Sequence, residues 1–99
     1  MVNKNSHVLL GVFKKRMRIF HEMEDDNLSF ILESSQAALD GLLGFSVIAT
    51  QTGRELILER SRYVYNDCLD LFYEAYKNEI ARIALENYYP DMEEEIDES

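Results

Sequence analysis

The sequence contains little cysteine, proline or glycine. Its 99 residues include one cysteine, one proline, four glycines and no tryptophan. A single cysteine excludes a disulfide within the chain and is typical of a reducing compartment. No cation stands beside Cys68 in sequence to activate it as a nucleophile, so we expect a small buried or half-buried core residue. So few glycines and prolines argue against a loop-rich or all-β design.

Long apolar runs are also missing. No stretch approaches the roughly 20 apolar residues that a transmembrane helix needs. Residues 1–7 are polar and the apolar run 8–13 is too short for a secretory signal. We therefore expect a soluble protein of intracellular origin that does not enter a membrane.

Motifs for catalysis and metal binding are absent from the sequence as well. It has no Gly-x-Ser-x-Gly elbow and no phosphate-binding glycine loop. The cluster at residues 21–26 contains His21 and several acids, but no second histidine stands close enough to complete a zinc site. It also lacks the glycine and the ligand spacing of a calcium loop. We expect no enzyme activity, no metal and no cofactor.

Cations are few and unevenly placed. Ten lysines and arginines oppose nineteen acids, for a net charge of −9. The only charged side chains in residues 1–21 are cations: Lys4, Lys14, Lys15, Arg16 and Arg18. Residues 91–98 carry acids only: Asp91, Glu93, Glu94, Glu95, Asp97 and Glu98. The net charge predicts repulsion from nucleic acid. For the basic group we favour a solvated helix face over a protein contact, and both over nucleic-acid binding.

Hydrophobic periodicity predicts an all-α fold, a small bundle of about four helices. We expect them at about 7–18, 25–43, 54–66 and 70–87, because apolar residues recur there at spacings of three and four. Residues 1–90 would form one domain, and 91–99 a flexible acidic tail.

Helix boundaries follow from the usual capping residues. Ser6 is the expected N-cap of the first helix, and Asp25 or Asp26 that of the second. Gly44 is suited to end the second helix in a left-handed conformation. The cap-type pair at residues 66–67 predicts a break between the last two helices, and Pro90 the end of the fourth.

Residues 45–53 lack a helical period and contain several β-branched side chains. We expect an extended loop or a short strand, which could then pair with another chain. The alternative is a connector folded back on the core. The six tyrosines leave two interpretations equally open, contacts at a subunit interface or half-buried helix packing.

Part of this pattern resembles a known family. The residues that carry the resemblance lie in two groups: Arg62, Tyr63, Val64, Tyr65, Asn66, Phe72, Tyr76, Glu79 and Ile80, and, earlier, Glu24, Asp25, Asp26, Leu28, Ile31, Leu32 and Ala38. Together they resemble the head–tail connector (adaptor) proteins of long-tailed phages, over residues 9–87. These are helix-packing signatures rather than chemical motifs, and the chain departs from the pattern only after Gly44.

The resemblance implies a structural virion protein at the head–tail junction, assembled in the host cytoplasm. Copies of the chain, typically twelve, would form a ring below the portal protein and offer a docking surface to head-completion or tail proteins. Genomic DNA would pass through the ring without specific binding.

Two charged poles and the 45–53 loop are the expected contact regions. Our interface candidates are Lys14, Lys15, Arg16, Arg18, Phe45, Val47, Ile48, Tyr88, Tyr89, Asp91, Glu93, Glu94 and Glu95. The alternative function is a small acidic phage regulator that binds and inhibits a host protein, since the six acids of residues 91–98 could imitate phosphate.

Overall fold

Four α-helices and one short 3₁₀ helix make up the described chain. A computed structural model describes the backbone of residues 6–98 and the side chains of residues 6–87. The helices are α1 (Leu10–Met17), α2 (Asp25–Leu43), α3 (Gln51–Tyr65) and α4 (Leu69–Glu98), with the 3₁₀ helix at Val47–Ala49 between α2 and α3. No strand occurs within residues 6–98. The predicted all-α class is therefore confirmed.

The core lies where α2 and α3 pack against each other. On α2 the leucines at 28, 32 and 39 are fully buried, and on α3 Ile57 is fully buried. Phe13 of α1 and Phe72 of α4 join the same apolar cluster. The spacing of three and four along α2 thus reports the face that is buried, as the periodicity predicted.

Two of the predicted helix boundaries are confirmed. Gly44 ends α2 with a φ of 82°, and its N–H donates to the Asp40 carbonyl oxygen at 2.8 Å. Between α3 and α4, Asn66 is the C-cap and Asp67 has a φ of 62°. Both breaks fall at residue types that tolerate the left-handed conformation better than most.

The predicted N-cap of α1 is wrong. The helix begins at Leu10, and its N-cap is Leu9 rather than Ser6. The buried His7 ring takes over part of that role, because its Nδ1 accepts from the Leu9 N–H at 3.0 Å. Nε2 of the same ring lies 2.6 Å from Oε1 of Gln36 on α2. A tertiary contact therefore fixes where this helix starts.

The predicted extended loop at 45–53 is also wrong. Residues 47–49 form the 3₁₀ helix and α3 already begins at Gln51, while Ser46 and Thr50 keep extended backbone in their capping positions. The Val47 side chain is fully buried, and its N–H donates to Asp40 Oδ1 at 2.8 Å. The segment is thus the connector folded back on the core, the second of the two alternatives.

Helix α4 is longer than predicted. It runs past 87 and through Pro90 to Glu98, although Pro90 was the expected end. Proline removes one backbone donor and usually kinks a helix. The flanking segments contain several leucine, alanine, glutamate and methionine residues, which favour helix on both sides. The mobility expected for 91–99 is not tested by this assignment and stays a prediction.

Candidate protein-interaction site

The basic residues of α1 do not form one surface. Lys14 points inward, and its Nζ lies 2.6 Å from Oδ1 of Asp25 at the start of α2. Only 15% of the Lys14 side chain and 12% of the Asp25 side chain are exposed. The pair ties α1 to α2, so the Lys14 charge is already matched within the chain, and its role at an interface stays a prediction.

Arg16 joins α1 to α3. Its guanidinium donates to Glu55 Oε2 at 2.8 Å and lies 3.8 Å from Glu59 Oε2. The hydrogen bond from Arg16 holds the pKa of Glu55 below its ordinary value, and the same bond raises the pKa of Arg16. Arg16 is exposed, yet its charge is already matched by acids of its own chain.

Lys15 and Arg18 remain free. Both are exposed, and neither has an ion pair or a side-chain hydrogen bond within the described residues. Every other lysine or arginine in that part of the chain has at least one such contact, as the partners of Lys14, Arg16, Arg54, Arg60, Arg62, Lys77 and Arg82 show. Of the four basic candidates, these two are available to a partner.

A groove between α3 and α4 continues the charge network of Arg16. It measures about 320 Å³ and is lined by Thr52, Glu55, Leu56, Glu59, Tyr76 and Glu79. Oε1 of Glu59 accepts from Arg62 at 2.7 Å and from the Tyr76 hydroxyl at 3.1 Å. Burial, and then the nearby Glu59 carboxylate, raise the pKa of Tyr76. The groove is acidic and concave, but its carboxylates already bind cations of the same chain.

The Tyr76 hydroxyl should contribute to stability in a pH-dependent way. Tyr76→Phe is expected to lower the free energy of unfolding by about 1 kcal/mol at pH 8, because the hydrogen bond to Glu59 is lost. Since the folded-state pKa lies above the ordinary 10.0, this contribution is present below about pH 10 and is lost as the pH rises through the folded pKa. Urea unfolding at pH 8 and pH 10.5 tests this, and an unchanged difference between wild type and variant at the two values would contradict it.

The tyrosines of α3 and α4 pack half-buried. Tyr63, Tyr73 and Tyr76 surround Phe72, with ring centroids 5.8, 5.0 and 4.9 Å from the Phe72 ring. Tyr65 is also half-buried, and its hydroxyl donates to Glu24 Oε2 at 3.0 Å. For these four tyrosines the structure favours helix packing over a subunit interface.

The segment of residues 45–50 between α2 and α3 contributes less accessible surface than expected. The Val47 side chain is fully buried and offers no accessible surface in this chain, and its role at an interface stays a prediction. Phe45 and Ile48 are half-buried against the core. Phe45 also lines a second groove, of about 220 Å³, together with Thr50, Thr52, Ile83, Glu86 and Asn87. Phe45 thus remains partly accessible.

The remaining candidates belong to the end of α4. The side chains of Tyr88, Tyr89, Asp91, Glu93, Glu94 and Glu95 lie outside the described residues, so their role stays a prediction.

Three large, strongly exposed apolar side chains were missed by sequence reasoning. Phe20, Met23 and Phe30 are 83%, 87% and 66% exposed. They lie in the turn before α2 and on the side of α2 opposite its buried leucines. Phe30 belongs to what we call the α2 outer face, formed by Asn27, Phe30, Ser34 and Ala37. These four residues are uncharged and recur at spacings of three and four, and this pattern in the sequence could have revealed the face.

Helix α1 has a corresponding exposed side. Gly11, Val12 and Lys15 of this helix are exposed, as is Val8 just before it, and we call these four residues the α1 outer face. The buried residues of this helix are Leu10 and Phe13, whereas Val12 is exposed.

Comparison with known proteins adds no relative. No protein-family model, no curated protein and no solved structure matches the chain. Within the described residues, no group of three or more histidine, cysteine, aspartate or glutamate side chains is arranged to hold a metal ion. No helix of that part combines the length and the apolar character needed to cross a membrane.

Proposed function

We propose that this chain is a structural subunit of a phage virion, a head–tail connector that works by assembling with copies of itself and with the portal protein. The resemblance of its helix-packing residues to connector proteins suggests this role. In it, the subunits form a ring below the portal, extend the DNA channel and receive head-completion or tail proteins.

The observation that carries the proposal is the exposure of Phe20, Met23 and Phe30. Burying an aromatic or methionine side chain is worth about 1.5–3 kcal/mol relative to leaving it in water. Three such side chains in and beside one turn favour a partner that covers them. The turn adjoins the buried core between α2 and α3, which holds it in place.

The charge of the chain suits a channel that DNA must traverse. A subunit with a net charge of −9 disfavours lasting contact with phosphate. Seven of its basic side chains in the described residues are held by contacts within the chain. DNA sliding past such subunits would meet few free cations.

Mass spectrometry of purified virions tests the proposal directly. We expect the chain in virions of the phage that encodes it, at several copies per particle and in constant ratio to the portal protein. An early, non-structural protein of the same phage is the control and should be removed by purification. Expression of the chain in infected cells together with its absence from virions would refute the connector role.

A small acidic regulator is the second candidate. Helix α2 carries four acids, Asp25, Asp26, Glu33 and Asp40, and no cation. Such a helix could occupy a basic surface of a host protein. A pull-down from a lysate of infected host cells, with the wild-type chain and with Asp26→Lys/Glu33→Lys, separates the two functions. A single host protein recovered in stoichiometric amount by the wild type alone would support the regulator, and recovery of virion proteins only would exclude it.

A further inference from the structure

The α2 outer face combines apolar surface with unmatched negative charge. Phe30 is its large exposed apolar side chain, and the exposed Met23 lies in the turn that precedes α2. Asp26 and Glu33 flank Phe30 at spacings of four and three, and both are exposed. Neither acid has an ion pair or side-chain hydrogen bond within the described residues. The face therefore suits a partner that brings both apolar atoms and cations.

The α1 outer face has the opposite charge. Val8 and Val12 expose apolar surface, Lys15 follows on the same side, and Arg18 lies at the end of the helix. Lys15 and Arg18 are the cations without a partner in the described chain. The α2 outer face spans residues 27–37, about 15 Å of helix, and the shorter α1 (Leu10–Met17) spans about 12 Å.

We propose that the α1 outer face of one copy binds the α2 outer face of the next copy. Phe30 would then pack between Val8 and Val12, while Lys15 approaches Glu33. The inference rests on the proposed function, because it names the surfaces through which the connector subunits assemble.

The charges favour this arrangement over a symmetric one. Two α2 outer faces placed together would bring Asp26 and Glu33 of both copies to the same interface, and two α1 outer faces would bring the cations together. Joining unlike faces avoids both repulsions. Such a contact leaves one face of each type open at the ends, so it repeats until a ring closes.

Charge reversal tests the pairing. Sedimentation of the full chain, up to millimolar concentration and at low salt, should show self-association that weakens as salt is added. Glu33→Lys is expected to weaken it by about tenfold. The matched control is Glu74→Lys, an exposed acid on α4, which should leave it unchanged. Lys15→Glu combined with Glu33→Lys should restore association, because the pair is re-formed with its signs exchanged.

Cross-linking tests the geometry. In a Cys68→Ser background, Gly11→Cys and Asn27→Cys each place a thiol on one of the two faces. Gly11 accepts a side chain, since a Cβ there meets nothing within 4 Å. Under mild oxidation a mixture of the two variants should give a mixed disulfide dimer, and each variant alone should stay monomeric. A disulfide between two Asn27→Cys chains would overturn the proposal, as would a wild-type chain that stays monomeric at millimolar concentration.

The two levels of the hypothesis fail differently. A chain found in virions whose Gly11→Cys and Asn27→Cys variants do not cross-link would remain a connector subunit but would assemble through other faces. A chain absent from virions that gives the mixed disulfide would self-associate as proposed without being a connector.

Discussion

Gly53→Ala is expected to lower the free energy of unfolding by about 3 kcal/mol, near the upper end of what overpacking a core costs. A Cβ on Gly53 would lie 1.9 Å from the carbonyl oxygen of Val47 and 2.6 Å from its carbonyl carbon. Both are backbone atoms, so no change of rotamer relieves the clash. Either α3 or the segment of residues 45–50 must move.

The expected movement would disrupt two features at once. The Gly53 N–H donates to Thr50 Oγ1 at 2.9 Å, which caps α3. Val47 is fully buried, so displacement of the segment of residues 45–50 would open a gap in the core. Loss of the cap alone is worth about 1 kcal/mol.

Urea unfolding of Gly53→Ala beside Gly11→Ala provides the measurement and its control. At Gly11 an added Cβ meets nothing within 4 Å, so the same substitution in α1 should stabilise by about 0.5–1 kcal/mol. We expect the free energy of unfolding to fall for Gly53→Ala and to rise for Gly11→Ala. A Gly53→Ala chain as stable as wild type would mean that the segment of residues 45–50 does not lie against the start of α3.

The close contact at Gly53 could not be predicted from the sequence. Periodicity predicts α2 because its leucines repeat along one strongly apolar side, and this local pattern needs no knowledge of the partner helix. The burial of Val47 depends instead on the Asp40 carboxylate, which lies seven residues away and accepts the Val47 N–H. A β-branched segment therefore adopts a 3₁₀ helix, since tertiary contacts override its strand propensity.

Small errors of register have a similar origin. The spacing of three from Leu39 predicts that Leu42 lies on the buried side of α2, but Leu42 is exposed and Leu43 is buried in its place. At the end of a helix, the direction in which the chain leaves decides which side is covered. After Leu43 the segment of residues 45–50 turns back, and its Phe45 and Ile48 pack on the core. Only the three-dimensional path of residues 45–50 contains that information.

The candidate site was predicted in part. Sequence reasoning found the basic group of α1, and the structure shows that its members have different roles. Lys14 and Arg16 pair with acids of α2 and α3, whereas Lys15 is left free. Neighbours in sequence point to different sides of a helix, so membership in a charge cluster does not predict the partner of each cation.

This division of roles predicts that Lys14→Met will lower the free energy of unfolding by about 2 kcal/mol. The substitution keeps the aliphatic volume but leaves the Asp25 carboxylate largely buried without its cation. Breaking a fully buried pair costs about 3–5 kcal/mol. The loss should be smaller here because both side chains keep some exposure and Asp25 lies in the first turn of α2, where the helix dipole stabilises an acid.

Lys15→Met is the matched control, one position further along α1. Lys15 has no partner in the described chain, so its replacement should change the free energy of unfolding by less than about 0.5 kcal/mol. Self-association should respond in the opposite order, weakened by Lys15→Met and unchanged by Lys14→Met under conditions where both variants are folded. In a double-mutant cycle, Asp25→Asn should remove most of the effect of Lys14→Met, because the buried carboxylate is then gone. Equal stability losses for the two lysine variants would show that Lys14 acts through the general charge of α1 rather than through its contact with Asp25.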